Sequence, residues 1–235
     1  MSFRERYDLV KAECEAICVA HGRDPHAVKV VAVSKTVGLP EIETAIAAGA
    51  HAFGENRPDM LASKAAALPD QEWHFIGNIQ SRKIEEIVRF ASLVHSLYQP
   101  HHVAKFDAAA ASLGKVQNVL LEVNVSGEQS KSGLAPDQVA LMLEVCEQYS
   151  HVRVCGLMTM APQGNADVAR DCFAQLALLA KQLKAGMDPA KAQYFNELSM
   201  GMSEDWREAV SQGATIVRIG RALFAEDFDE PHAQG

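Results

Sequence analysis

Eight short apolar runs recur along the chain, and a stretch with helical patterning separates each run from the next. β-Branched and small apolar residues dominate the runs, which lie at 28–35, 52–56, 73–77, 93–97, 118–125, 152–160, 194–200 and 215–220. Helices are predicted between them, over about 40–49, 58–68, 81–90, 100–113, 136–148, 166–184 and 203–212. Regular alternation of this kind is typical of a parallel sheet built from βαβ units.

The number of units favours a closed barrel over an open sheet. Eight units within about 200 residues fit a (β/α)8 TIM-type barrel. An open, doubly wound sheet usually carries G-x-G-x-x-G after its first strand, and the stretch from Lys35 to Leu39 has no such motif. We therefore predict an α/β fold with one domain over 1–235: an extra N-terminal helix at 3–21, a barrel over about 28–224 and a short tail at 225–235.

Composition argues against nucleic acids, membranes and metal ions as partners. The formal charge is −8, from 22 basic and 30 acidic residues, and no long basic run is present, which argues against nucleic-acid binding. No window approaches the roughly 18–20 apolar residues of a membrane span, and the charged N-terminus does not resemble a leader, so a cytoplasmic protein is expected. The five cysteines are scattered without further ligands nearby, which predicts reduced thiols and no metal site.

Lys35 is the first candidate for chemistry. If the first run is a strand, Val31, Val33 and Lys35 share one face, so the lysine is predicted to point inward from the carboxyl end of a buried strand. A buried ammonium is costly unless it is solvated, paired or used, and the neutral amine that burial favours is the form that makes a Schiff base. The alternative is a lysine that only reaches out of the barrel mouth into solvent.

The last two strand ends predict an anion site. Ser199, Gly201 and Ser203 follow or end the seventh run, and Gly220 and Arg221 end the eighth. Glycines let the backbone approach an anion, Ser203 is a plausible helix cap, and the loops after strands seven and eight of such barrels often bind phosphate. Ordinary caps and turns are the alternative. Both loops, facing a lysine on the first strand, favour a carbonyl compound that bears a phosphate.

Arg218 lies within an apolar run, where a guanidinium needs an acceptor. It is expected either to pair with Glu122 or another barrel carboxylate, or to donate to a ring atom of a ligand.

Seven ordered motifs connect these residues to a known family. AVSKT at 32–36, FGEN at 53–56, HFIG at 74–77, the segment NVSGEQSKSG at 124–133, GLMTM at 156–160, LSMGMS at 198–203 and VRIGR at 217–221 resemble the YggS/PROSC family of pyridoxal phosphate homeostasis proteins, which is related to the barrel domain of alanine racemase. The resemblance spans about 28–224. Asn78-Ile79 departs from the usual Pro-Leu, and Arg221 stands where threonine is frequent.

The resemblance implies pyridoxal 5′-phosphate (PLP) as cofactor, bound as a Schiff base to Lys35. It places Arg218 at the pyridine nitrogen and Asn56 beside the cofactor, with His74 and Met158 as walls of the pocket. The phosphate would be held by Ser199, Gly201, Ser203, Gly220 and Arg221, the last two chiefly through backbone N–H groups. It further implies a monomer that serves PLP and amino-acid balance and passes PLP to PLP-dependent apo-enzymes.

Little or no catalysis is expected. Arginine does not give its proton to a ring nitrogen, so the ring would be a weak electron sink. In racemases of this type a tyrosine from an additional domain supplies the second base, and the chain is expected to lack that domain. The alternatives are a PLP-dependent racemase-like enzyme, a Schiff-base aldolase acting on a phosphosugar, and a barrel without a ligand.

Overall fold

Eight parallel strands close into one barrel. The structure is a computed structural model that describes residues 1–128, 131–225 and 228. Each strand pairs with the next in sequence, and the last pairs with the first. The strands are β1 (Lys29–Val33), β2 (Ala52–Glu55), β3 (Glu72–Phe75), β4 (Leu93–Leu97), β5 (Gln117–Glu122), β6 (Val152–Met158), β7 (Glu197–Ser199) and β8 (Ile216–Ile219). The predicted (β/α)8 barrel is confirmed.

Helices connect the strands and surround the barrel. They are α1 (Phe3–Ala20), α2 (Leu39–Ala47), α3 (Pro58–Ala67), α4 (Ile84–Phe90), α5 (Pro100–Ser112), α6 (Val139–Cys146), α7 (Ala166–Ala185), α8 (Pro189–Ala192), α9 (Trp206–Ser211) and α10 (Arg221–Phe224). Short 3₁₀ turns at Ser81–Lys83 and Pro136–Gln138 precede α4 and α6. Proline opens α3 and α5, where its missing N–H costs no helical hydrogen bond.

The N-terminal helix α1 is confirmed, and its first turn is held in place by several contacts. Its first turn forms a capping box, in which Ser2 N donates to the Glu5 carboxylate at 2.7 Å and Glu5 N donates to Ser2 Oγ. The Phe3 ring packs on Phe224 with centroids 5.0 Å apart. Arg6 Nε donates to the Leu223 carbonyl at 2.8 Å, so α1 braces the short helix that follows β8.

Apolar side chains form two cores, as strand alternation requires. A small cluster fills the barrel interior and consists of Val31, Ala52, Leu93, Leu120, Met158 and Ile216. The larger cluster lies between the strands and the helices, where Phe53, Trp73 and Phe75 are almost completely buried. Alternate residues of β3 thus face outward, and Glu72 and His74 face the interior.

The region around β7 departs from the prediction. β7 has three residues, and Tyr194 precedes it instead of starting it. The predicted helix over 203–212 begins only at Trp206, because Ser203, Glu204 and Asp205 form a turn. Gly201, with φ of +92°, makes this turn possible, and a Cβ there would lie 2.6 Å from the Cβ of Ala209. The predicted tail at 225–235 lies outside the described residues except for Ala225 and Phe228.

Candidate functional site

Parallel strands end at one rim of the barrel, and the predicted site residues collect there. Those that follow strands β1, β2, β7 and β8 are Lys35, Asn56, Gly201, Ser203, Gly220 and Arg221. Those within β3, β6, β7 and β8 are His74, Met158, Ser199 and Arg218. The first group therefore lies at the carboxyl rim, and the second group is buried in the barrel interior.

Lys35 is at this rim but not inside a strand. β1 ends at Val33, Ser34 is buried, and Lys35 is exposed in the following turn. The prediction of a buried lysine within the strand is wrong, because the paired residues of β1 and β2 end at Val33, opposite Gly54, and Lys35 lies in the turn that follows. The amine reaches solvent, as the alternative expectation described.

A buried polar cluster holds the turn that carries Lys35. Lys64 of α3 donates to Glu55 Oε1 at 2.6 Å and to the Ser34 carbonyl at 2.8 Å. Ser34 Oγ donates to the same carboxylate oxygen at 2.7 Å. All three residues are buried, so the backbone immediately before Lys35 is tied to β2 and α3. This Ser34–Glu55–Lys64 cluster was not anticipated from the sequence.

The loops after β7 and β8 meet at Ser203. Its hydroxyl accepts from the N–H of Ala222 at 3.2 Å, so the serine links the two loops. The prediction that Ser203 caps the following helix is wrong, since the cap is Asp205, whose carboxylate accepts from Met202 N at 2.6 Å. The backbone N–H groups of Ser203 and Gly220 have no acceptor among the described residues.

Gly220 lies against the end of β1. A Cβ built on Gly220 would be 3.4 Å from both the Cβ and the carbonyl oxygen of Val33. The loop after β8 therefore adjoins the end of β1, and Ser203 connects the loop after β7 to it. The side chain of Arg221 is directed elsewhere, because its Nη2 donates to Glu204 at 2.7 Å on the protein surface.

Arg218 lies inside the barrel and is only 4% exposed. Its Nη1 donates to Ser199 Oγ at 2.6 Å, and its Nη2 donates to the carbonyl of Thr159 at 3.1 Å. No carboxylate among the described residues lies within ion-pair distance, so the expected pairing with Glu122 is wrong. Burial lowers the pKa of Arg218 to about 10, which leaves it a cation at neutral pH.

Glu122 is a buried carboxyl group at the end of β5, and its side chain has no hydrogen-bond partner among the described residues. Burial raises its pKa to about 7, and the charge of Arg218 opposes part of that rise. Glu122 thus titrates near neutrality within the field of Arg218. Its position at a strand end was the only signal for it in the sequence.

The remaining predicted residues differ in their surroundings. Met158 is part of the interior cluster, and Asn56 is exposed directly after β2. His74 is fully buried, and both of its ring nitrogens are engaged: Nδ1 with His95 at 2.8 Å and Nε2 with Glu72 at 2.9 Å. A contact between His74 and a ligand would therefore involve the ring and not its nitrogens.

Three general features limit what kind of protein and site this is. Within residues 1–128, 131–225 and 228, no group of three or more histidine, cysteine or acidic side chains could hold a metal ion. All five cysteines are free thiols. Across the same ranges, none of the helices combines the length and the apolar character needed to cross a membrane.

An exposed lysine after β1, a buried arginine in β8 and the loops after β7 and β8, which Ser203 joins, lie toward the carboxyl end of a (β/α)8 barrel, where barrels of this class carry their ligand sites. The chain belongs to the family described as "Alanine racemase, N-terminal domain", which matches residues 15–227. This confirms the relationship to alanine racemase that the sequence motifs implied.

Similar proteins match this chain over almost the whole length of both. The pyridoxal phosphate homeostasis protein of Aquifex aeolicus is 36% identical over 229 residues, which cover 96% of this chain and 99% of the relative. That of Pseudomonas aeruginosa is 40% identical over 232 residues, 97% of each chain. PipY of Synechococcus elongatus, solved with PLP bound, superposes with a TM-score of 0.81 at 32% identity, over 95% of this chain and all of that one.

Proposed function

We propose that this protein binds PLP through Lys35 at the carboxyl rim of the barrel and serves PLP and amino-acid homeostasis, with little or no catalysis of its own. The observation that carries the proposal is the placement of three groups on adjacent strands. Lys35 follows β1, Arg218 lies in β8, and the linked loops after β7 and β8 meet at Ser203. The relatives named for PLP homeostasis and PipY with PLP bound support the same ligand.

The residues present fit such a cofactor. Ser203 and Gly220 offer backbone N–H groups without an acceptor among the described residues, and Gly220 adds no side chain between them and the end of β1. The Ser203 hydroxyl accepts from Ala222 and keeps its own hydrogen to donate. Since phosphate oxygens only accept at neutral pH, this cradle matches a phosphate group. When bound, the cofactor supplies an aldehyde, with which a primary amine such as Lys35 forms a Schiff base.

Arg218 supports a role in holding rather than in catalysis. We take it to face the cofactor ring with the guanidinium N–H groups that the protein does not use. A guanidinium with a pKa near 10 stays a donor at neutral pH and keeps its protons, so a ring nitrogen beside it is not protonated by it. An unprotonated ring stabilises a carbanion poorly, which limits amino-acid chemistry.

The tyrosines near strands offer little to a racemase. Tyr194 precedes β7 at the opposite end of the barrel, where Arg153 stacks over its ring at 4.3 Å. Tyr98 follows β4 and packs against the core between strands and helices. We therefore rank a racemase-like enzyme and a phosphosugar aldolase below a PLP-holding protein.

The proposal extends to the setting of the protein. We take the whole chain as one cofactor-binding domain that acts as a monomer in the cytoplasm and delivers PLP to PLP-dependent apo-enzymes. The acidic composition, with 30 acidic against 22 basic residues, is compatible with a protein that engages no nucleic acid.

Borohydride trapping tests the proposal. Purified protein mixed with PLP should become yellow, and reduction followed by peptide mapping should place the label on Lys35. Lys35→Ala should abolish the colour and the fixed label, whereas Lys105→Ala, which removes another exposed lysine on α5, should retain both. A label on a different lysine in the Lys35→Ala protein would overturn the site. Alanine racemisation at enzyme-like rates, or trapping of a phosphosugar in place of PLP, would overturn the function.

A further inference from the structure

Polar side chains form a continuous hydrogen-bond chain through the barrel interior. His74 Nδ1 lies 2.8 Å from His95 Nε2, and His95 Nδ1 lies 2.8 Å from Ser199 Oγ. His74 Nε2 lies 2.9 Å from Glu72 Oε1 at the amino ends of the strands. In order, the chain consists of Lys29, Glu72, His74, His95, Ser199 and Arg218, contributed by β1, β3, β3, β4, β7 and β8.

With both imidazoles neutral, the donors in this chain have one order. The carboxylate of Glu72 only accepts, so His74 carries its proton on Nε2 and donates it to Glu72. His74 Nδ1 then accepts from His95 Nε2, and His95 Nδ1 accepts from the Ser199 hydroxyl. The oxygen of that hydroxyl accepts from Arg218 Nη1. Both neutral imidazoles are therefore protonated on Nε2.

A second proton on either imidazole would disrupt this order. Protonation of His74 at Nδ1 would set two N–H groups against each other across 2.8 Å, unless His95 moved its own proton to Nδ1 and displaced the serine hydrogen. Among the charged groups near the two rings, Lys29 and Arg218 disfavour a further positive charge, and Glu72 and Glu197 favour it. Complete burial of both rings adds to the preference for the neutral form.

We propose that His95 and His74 are positioning residues, which turn a lone pair of Ser199 toward Arg218 and thereby set the direction in which the guanidinium faces the ligand. Within the described protein only two hydrogen bonds hold the guanidinium of Arg218, to Ser199 and to Thr159, and no ion pair assists them. The orientation of the Ser199 hydroxyl consequently decides whether the buried guanidinium has two hydrogen-bond acceptors or only one. The order of hydrogen bonds from Arg218 to Glu72 does not depend on the proposed function, whereas the effect on ligand binding rests on it.

Nitrogen-15 NMR of the histidine rings in the protein without PLP tests the chain itself. The expected result is that His74 and His95 show the neutral, Nε2-protonated tautomer throughout pH 6–8. A ring that titrates within this range, or one protonated on Nδ1, would overturn the proposal. This measurement involves no cofactor, so its outcome is independent of whether the proposed function is correct.

Two substitutions of His95 test the consequence for binding. Glutamine can accept from Ser199 through its carbonyl oxygen and donate to His74 through its amide, so His95→Gln keeps the donor order. Leucine can do neither. PLP affinity should fall about tenfold in His95→Leu, the effect of about one hydrogen bond to a charged group, and should stay within about threefold of the parent in His95→Gln.

The matched control is His102→Leu. His102 is also buried, with a single bond from its ring to Ser81 at 3.0 Å, but it lies on α5 outside the barrel. This variant should bind PLP like the parent. Equal losses in His95→Gln and His95→Leu, or none in His95→Leu, would overturn the positioning role. If the leucine variant fails to fold, the NMR result and the glutamine variant decide. If the parent protein binds no PLP, the proposed function is wrong, and the NMR measurement still tests the hydrogen-bond chain.

Discussion

Lys64 Nζ lies 2.6 Å from Glu55 Oε1, and both side chains are almost completely buried between β2 and α3. Ser34 connects this ion pair to the turn that carries Lys35, through its hydroxyl and its carbonyl. The second carboxylate oxygen of Glu55 is buried without a hydrogen-bond partner. The buried charge of Glu55 is therefore stabilised only by the bonds that Lys64 and Ser34 donate to its other oxygen.

Removal of Lys64 should therefore be strongly destabilising. Lys64→Met leaves an uncompensated buried carboxylate and should lower the free energy of unfolding by about 3–5 kcal/mol. Denaturant unfolding measures this change. Lys83→Met is the matched control, because Lys83 pairs with Glu86 at 2.6 Å while 38% exposed, and its loss should cost about 1 kcal/mol or less. Equal stabilities of the two variants would contradict this account, and so would a double variant Glu55→Gln/Lys64→Met no more stable than Lys64→Met.

The free energy of unfolding should depend on pH through two sets of buried groups with opposite effects: the histidine pair His74 and His95, and Glu122. Burial lowers the pKa of His74 and His95 below 6.5, so the unfolded chain binds protons there that the folded protein does not. Their contribution is complete above pH 6.5 and is lost as the pH falls. Each ring adds a slope of up to about 1.4 kcal/mol per pH unit.

Glu122 acts in the opposite direction. Its pKa is about 7 in the folded protein against 4.5 ordinarily, so between these values the folded state binds the extra proton. Stability from this group rises as the pH falls from 7 toward 4.5. Urea unfolding between pH 5 and 7.5 should thus show a steeper loss on acidification in Glu122→Gln than in the parent, and a shallower one in His95→Gln. Parallel curves for all three proteins would show that these groups do not titrate as described.

The barrel was predictable because its signal is repeated eight times. Each apolar run coincides with a strand, and strand order follows from the alternation with helices. The pattern did not predict where each strand or helix ends, because the ends depend on contacts with neighbouring segments. β1 ends at Val33, where its ladder with β2 stops, and so Lys35 is exposed. The turn at Ser203 delays α9 to Trp206 for a similar local reason.

Contacts between strands were not accessible to the same reasoning. Lys35, Ser203, Arg218 and Gly220 could be grouped because all lie at strand ends. The partners of His95 depend on register and on the barrel's closure, which brings β4 within reach of β7 across the interior. Periodicity within one strand contains no information on that distance.

Gly77 should tolerate no side chain. A Cβ there would lie 2.0 Å from the carbonyl oxygen of Asn56, and backbone atoms cannot move aside cheaply. Gly77→Ala should separate the chain segments after β2 and β3, reduce the free energy of unfolding by about 2 kcal/mol or more, and weaken PLP binding near Asn56. Gly186→Ala is the control, since the nearest atom to its added Cβ is 3.6 Å away. Urea unfolding and PLP titration of both variants provide the comparison, and a Gly77→Ala protein as stable as the control would refute it.

Ser203 should contribute to the binding of the phosphate more than to folding. Ser203→Ala removes the acceptor of the Ala222 N–H and the donor proposed for the phosphate. We expect a loss of about 1 kcal/mol in stability and about a tenfold loss in PLP affinity. The decisive measurement compares PLP with pyridoxal, which lacks the phosphate. If Ser203 binds that group, the substitution weakens PLP and leaves pyridoxal trapping at Lys35 unchanged. If it only links the two loops, both ligands weaken together, and the cradle then needs another donor.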